Sequence, residues 1–139
     1  TELTQYNGNV VFEGIVSCAK TALANDIPVG LGTDAGCPFT THYDMWREVR
    51  YFHTFCGVSN AFALHTATLG NAKIAGIDGI TGSLTPGKSA DLIVTAGNPL
   101  EDLEALRHVS VVTMRGKLFR DPKVRKMPDC ERELDKVSG

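Results

Sequence analysis

"VGLGTDAG", residues Val29–Gly36, is the stretch whose reading decides the fold. An apolar run passes two glycines and delivers one carboxylate, Asp34, at its tip. In the longer "IPVGLGTD", Ile27, Val29 and Leu31 fall on one face of an extended chain, and Gly30 and Gly32 on the other. Glycines along one strand face make room for a ligand, for another backbone, or for a tight barrel interior. The segment is expected to be a short buried strand, with Asp34 where strand turns into loop. In a parallel barrel that edge carries the reacting groups, which would make Asp34 a metal ligand or general base. Local spacing alone favours a plainer role, a helix N-cap or a turn-forming Asp.

The flanks fit an α/β rhythm. Over residues 9–25, Val11, Phe12, Ile15, Val16, Ala19, Ala22 and Leu23 trace one helical face. Asn25-Asp26 ends that helix and Pro28 bars its continuation. "AGCPFT" reads as a loop, and Thr41–Asp44 as a capping box with a short acid. Met45, Val49, Phe52 and Cys56 then mark a second helical face, stopped by Gly57. Ser59 caps a further helix, "NAFALHTATLG", in which Phe62, Leu64, Thr68 and Leu69 are available for packing, and "NAKIAGI" adds one more turn.

From Gly79 the character changes to short apolar pieces punctuated by glycine. Thr85-Pro86-Gly87-Lys88 suits a type II turn. "ADLIVTA", "VSVVTM" and "KLFR" read as strands, the last two joined tightly through Arg115-Gly116. "NPLEDLEAL" between the first two reads as a short helix begun by Pro99. Asp121 onward is charged and almost coreless, and is read as a solvated tail in preference to a surface helix.

Composition removes several function classes. The 139 residues are 42% hydrophobic and 22% charged, ordinary values for a globular chain. A net charge of -2 gives no basic surplus for a phosphate backbone, so no nucleic-acid partner is expected. No apolar run reaches the length of a membrane span, and the polar start is not expected to be a signal peptide, so no membrane partner and a cytoplasmic location are expected. Cys18, Cys37, Cys56 and Cys130 form no CxxC pair and are read as reduced thiols, with Cys37 a small buried filler in preference to a residue near the Asp34 pocket. His42, His53, His65 and His108 form no HxH or HExxH pattern, so Asp34 has no second ligand at metal spacing. Lys88 lies outside any GxxxxGK[ST] loop, no GxSxG elbow is present, and Asp91 is read as a turn or backbone-bonding residue.

"GTDAG", then "T-x-x-N-A" (Thr68–Ala72), then "G-S-L-x-P-G-K-x-A-D-L-I-V" (Gly82–Val94) and "N-P-L-E-D" (Asn98–Asp102), in that order, resemble the C-terminal part of the amidohydrolase superfamily. The likeness runs from about Val11 to Arg120, nearest the imidazolonepropionase-like and prolidase-like branch. It implies a (β/α)8 TIM barrel with a small β-sandwich built from both chain ends. "VGLGTD" would be the eighth barrel strand, preceded by the seventh helix. Residues 1–78 would then be the last part of the barrel, 79–120 the C-terminal strands of the sandwich, and 121–139 a polar tail. The resemblance maps the family's strand-eight acid onto Asp34. There it would coordinate a divalent metal, with zinc expected, and carry a proton from the activated water to the leaving amine. His42 matches a histidine of prolidase-like members and is carried over as a substrate contact.

The other ligands of that family have no counterpart here, and a whole barrel needs about 250 residues. The chain is therefore expected to be a C-terminal fragment of a hydrolase acting on a small amide, cyclic amide or dipeptide. By itself it is expected to be inactive, to bind no metal tightly, and to cover its apolar faces with the rest of the barrel or by self-association. The alternative is a non-catalytic binding or structural module derived from the same fold.

Overall fold

The computed structural model of the chain describes residues 2–137; Thr1, Ser138 and Gly139, at the outer ends of the expected first and last segments, lie outside the described residues. Helix α1 spans Glu2–Ala24, starting earlier than the apolar pattern indicated. It ends where expected: Asp26 takes a left-handed backbone, φ 56°, and Pro28 follows. The apolar face is present but lies open. Val11 is 61% exposed and Ile15 63%; Leu23, near the C-terminal end, packs against the core, and the Phe12 ring meets Phe55 edge-on at 4.8 Å.

Residues 27–34 are a correction to the expected strand. They are extended, and burial alternates as a strand's would: Val29, Leu31 and Thr33 are half-buried, while Gly30, Gly32 and Asp34 are exposed. Residues 27–34 join no ladder among the described residues. A parallel barrel strand takes its hydrogen bonds from strands on both sides, and here one side-chain amide, from Asn71, stands in for a neighbour.

Helix α2 (Met45–Cys56) carries the core. Val49 and Phe52 are buried with Ala63 and Leu103, and Met45 and Cys56 flank them as the spacing predicts. Gly57, φ 75°, ends the helix, its N–H bonding the His53 carbonyl at 3.0 Å. The expected capping box is replaced. The helix starts at Met45, and the Thr41 hydroxyl bonds the Asp44 carboxylate at 2.6 Å instead of a backbone N–H. Helix α3 (Asn60–His65) is capped by Ser59, whose Oγ accepts the Phe62 N–H at 3.1 Å. A π-helical turn, Thr66–Gly70, interrupts the helix before α4 (Asn71–Ile74) resumes it. Ala63 and Thr66 are buried on the inner side, while Phe62 is 44% exposed.

Strands β1 (Leu92–Thr95), β2 (Val109–Met114) and β3 (Lys117–Arg120) form an antiparallel sheet in that order. Met114 pairs with Lys117 across Arg115-Gly116, both with positive φ, the twist a two-residue hairpin requires. Gly87, φ 91°, with the Lys88 N–H on the Thr85 carbonyl, makes the expected turn before β1. Between β1 and β2 the helix is a 3-10 turn, Leu103–Arg107, capped by Asp102 rather than begun at Pro99.

The charged tail is a second correction. Pro128–Val137 form helix α5, which docks through charge, with Leu134 half-buried beside the ion pairs. Glu131 and Asp135, four residues apart and so on one side of the helix, reach Arg47 of α2 and Arg107.

Candidate functional site

Asp34 ends the extended segment in left-handed backbone, φ 51°, a conformation that Asp tolerates better than most residues. The loop beyond it is tied locally. The Asp34 carbonyl accepts the Cys37 N–H at 3.5 Å. The Thr40 hydroxyl donates to the Cys37 carbonyl at 2.7 Å, with the Asp34 carbonyl 3.3 Å from the same oxygen. Phe39 sits at φ 63°, a strained backbone for a bulky side chain, so the loop is held in shape by its surroundings. The Asp34 carboxylate is exposed, and the Cys37 thiol faces its Oδ2 at 3.7 Å. Cys37 is therefore not the buried filler expected of it; it is exposed beside the acid. His42 is exposed in the turn before α2. Among the described residues no hydrogen bond or ion pair joins it to Asp34.

Beneath the loop lies a buried charged cluster that the sequence reading missed. Asp44 takes the Thr41 hydroxyl and the Trp46 indole N–H at 3.0 Å, and its Oδ2 lies 3.6 Å from Arg47. Arg47 is 2% exposed, donates to Asp135 at 2.8 Å, and stands 3.6 Å from Glu131. Its guanidinium and that of Arg107 lie 4.5 Å and 5.3 Å from the centre of the Trp46 ring. Burial works to lower the Arg47 pKa, but Asp135, Asp44 and Glu131 outweigh it and hold the group firmly charged. The hydrogen bond from Arg47 holds the Asp135 carboxyl below the usual carboxylate range. The signal was in the sequence: Asp44 and Arg47 are three apart, and Glu131 and Asp135 four apart.

The ordered motifs meet in space. The Asn71 carboxamide accepts the Leu31 N–H at 2.9 Å and donates to the Leu31 carbonyl at 2.8 Å. This links "T-x-x-N-A" to the segment bearing Asp34. Gly82, φ 87°, lies so close behind that a Cβ there would stand 2.6 Å from the Ala72 Cβ. Asp91 accepts the Arg115 N–H at 2.7 Å and the Thr81 hydroxyl at 3.0 Å, the backbone-bonding role read for it. The Arg115 N–H, followed by Ser89 and Thr81, keeps the Asp91 carboxyl below its usual range. Lys88 is likewise structural, its ammonium on the Ser83 hydroxyl at 2.8 Å.

Among the described residues no group of three or more His, Cys, Asp or Glu side chains is placed to hold a metal ion. Zinc takes four ligands at structural sites and three from protein at catalytic ones. By its donor chemistry Asp34, an exposed carboxylate met by a weak thiol donor, fits a metal as one contributor to a shared site. No helix of the described residues is long and apolar enough to cross a membrane.

These features describe an α/β chain with a single exposed acid at the exit of a glycine-lined segment and a small antiparallel sheet. Residues 13–119 match the Amidohydrolase family, and the chain belongs to that family. Its members are hydrolases acting on carbon–nitrogen bonds, generally with a divalent metal. The crystal structure of a candidate prolidase from Bifidobacterium longum superposes on the whole chain with a TM-score of 0.93 and 40% identity, over 34% of its own length. A Xaa-Pro dipeptidase crystallised with methionine in its active site is 35% identical over 76% of this chain and 25% of its own, with a TM-score of 0.69. Guanine deaminase of Escherichia coli (strain K12) is 32% identical over 105 residues, 72% of this chain and 23% of the deaminase. The chain therefore spans between about a quarter and a third of these relatives.

Proposed function

We propose that this chain is the C-terminal part of a metal-dependent hydrolase that cleaves the amide bond of a small substrate, foremost an Xaa-Pro dipeptide. The observation that carries the reading is the likeness of the entire chain to the candidate prolidase of B. longum. The Xaa-Pro dipeptidase supports the substrate class, and the deaminase supports only the broader class of carbon–nitrogen bonds. The open apolar face of α1, with Val10, Val11 and Ile15 all at least half exposed, supports a parent whose other parts cover it.

In that parent, Asp34 is one metal ligand, beside histidines from elsewhere in the protein. A bound divalent cation makes water acidic near neutrality. Asp34 Oδ takes the proton that the attacking water loses and delivers it to the leaving nitrogen, so amide and water become acid and amine. His42, exposed after the loop, contacts the substrate. The chain by itself holds one ligand and does not turn over substrate.

The test is proline release from Xaa-Pro dipeptides by the complete protein loaded with zinc, beside its Asp34→Asn variant. The variant should lose about 10² to 10⁴ in kcat while keeping its fold. A complete protein that cleaves no dipeptide or small amide overturns the reading. Near-normal turnover in the variant removes Asp34 from the mechanism.

A further inference from the structure

We propose that Asn71 is a positioning residue for Asp34, a role that rests on the reading of Asp34 as the proton-carrying acid. In an extended chain the N–H and C=O of one residue point to the same side. Asn71 meets both of these groups on Leu31, at 2.9 and 2.8 Å, so its carboxamide replaces one residue of a neighbouring strand. A carboxamide offers an acceptor and a donor side by side at any pH, which a carboxyl does only when protonated, and Gln would be one methylene too long.

Three features aim and hold that amide. The π-turn before it lets the Asn71 N–H bond the Thr66 carbonyl, five residues back. One extra residue in a helix rotates everything beyond it by about 100°, and this rotation turns Asn71 toward the extended segment. Gly30 admits the amide, because a Cβ there would meet Asn71 Oδ1 at 3.1 Å and Ile74 Cδ1 at 3.2 Å. Gly82 seats the following loop against Ala72 and the Thr68 carbonyl, holding the turn from behind. Asp34 stands three residues beyond the clamped Leu31, about 10 Å along an extended chain. Without the clamp the segment and the loop it leads into can shift together, and a displacement of about 1 Å at a reacting group costs up to about 100-fold in rate.

The experiment compares Asn71→Ala and Asn71→Asp with wild type. The first readout is hydrogen exchange of the Leu31 amide in the complete hydrolase. Asn71→Ala should speed it about tenfold or more. The second is kcat and KM in the complete hydrolase, where kcat should fall by about 10- to 100-fold with KM little changed. The third is a pH profile. An ionised carboxylate at position 71 has no donor and repels the Leu31 carbonyl, whereas its protonated form restores both bonds. Burial raises the pKa of that introduced group. The Asn71→Asp to wild-type ratio of kcat should therefore rise as pH falls, while the Asn71→Ala ratio stays flat. Unchanged Leu31 exchange overturns the clamp. Faster exchange with unchanged kcat, or an Asn71→Asp ratio indifferent to pH, overturns the positioning role. Should Asn71→Ala fail to fold, the two-pH comparison of Asn71→Asp still decides. If Asp34→Asn retains turnover, the parent reading has failed instead, and the Leu31 exchange result stands independently of it.

Discussion

Replacing Arg47 with Met removes the cation that fastens α5 while keeping most of the methylene stem. Arg47 is 2% exposed and serves three acids. Stripping the partner from a buried carboxylate costs about 3–5 kcal/mol. The acids here are not stripped completely. Asp44 keeps the Thr41 hydroxyl at 2.6 Å and the Trp46 N–H at 3.0 Å, and Glu131 keeps Lys126 at 3.4 Å. Asp135, 42% exposed at its side chain, keeps Arg107 at 3.2 Å, and an ion pair that open is worth at most about 1 kcal/mol. The expected net loss is about 2–4 kcal/mol, below the full penalty because each acid retains a partner. Urea unfolding followed by Trp46 fluorescence measures it cleanly, since Trp46 is the one tryptophan and Arg47 lies over its ring. Hydrogen exchange across Pro128–Val137 should rise in parallel. Acid should mimic the variant in part. The folded Asp135 pKa lies below the ordinary 3.8, so its contribution is complete above that value and is lost as pH falls through the lowered one. An unchanged urea midpoint with α5 amides still protected would falsify the claim that charge holds α5 in place.

Two further outcomes are expected. Gly82→Ala should cost about 2–4 kcal/mol, because φ 87° strains any side chain and the new methyl meets the Ala72 Cβ at 2.6 Å; a melting temperature within error of wild type would show that the loop gives way freely. Glu48→Gln should stabilise the chain at neutral pH. Burial pushes the Glu48 carboxyl above the ordinary 4.5, in a cavity of about 780 Å³ that it shares with Phe12, Tyr51, Phe55 and Leu134. Above that ordinary value the folded state holds the proton longer than the unfolded one, so stability falls as pH rises toward the raised value. Urea midpoints at pH 4 and pH 7 should diverge for wild type more than for the variant, and equal divergence would refute the assignment.

Elements set by neighbours in sequence were legible. The hairpin over Val109–Arg120 follows from alternation and from Arg115-Gly116, and α2 from its apolar spacing and Gly57. Elements set by distant partners were not. Residues 27–34 have the composition and alternation of a strand, but a ladder is a property of pairs. Helix α1 shows a true apolar face, yet periodicity says which residues share a face and not whether anything covers it. The charges of "CERELD" read as solvated because Arg47, the partner of Asp135, lies 88 residues away. Phe62, expected to pack, is 44% exposed, and the π-turn at Thr66–Gly70 has no simple residue signature. At the site, Asp34 was found through ordered motifs, while Asn71, inside one of those motifs, carried no visible role until its amide was seen on Leu31.

Ordered motifs of this kind hold a reacting group as well as supply it. Asp34 is the only residue of the ordered series read as reacting, yet the contacts that fix its segment come from 40 residues downstream. A lone acid at the end of an unpaired segment is poorly held by its own chain, because each extended residue it depends on keeps most of its backbone freedom. Two hydrogen bonds from a carboxamide on a helix remove that freedom at Leu31, provided the helix itself cannot turn. Gly82 against Ala72, and the Asp91 carboxylate between Thr81 and Arg115, secure the helix and its loop to the sheet. Read in this order, "G-S-L-x-P-G-K-x-A-D" is the far end of a mechanical chain whose near end is the carboxylate. The small sheet, which holds no acid read as reacting, earns its place by anchoring it.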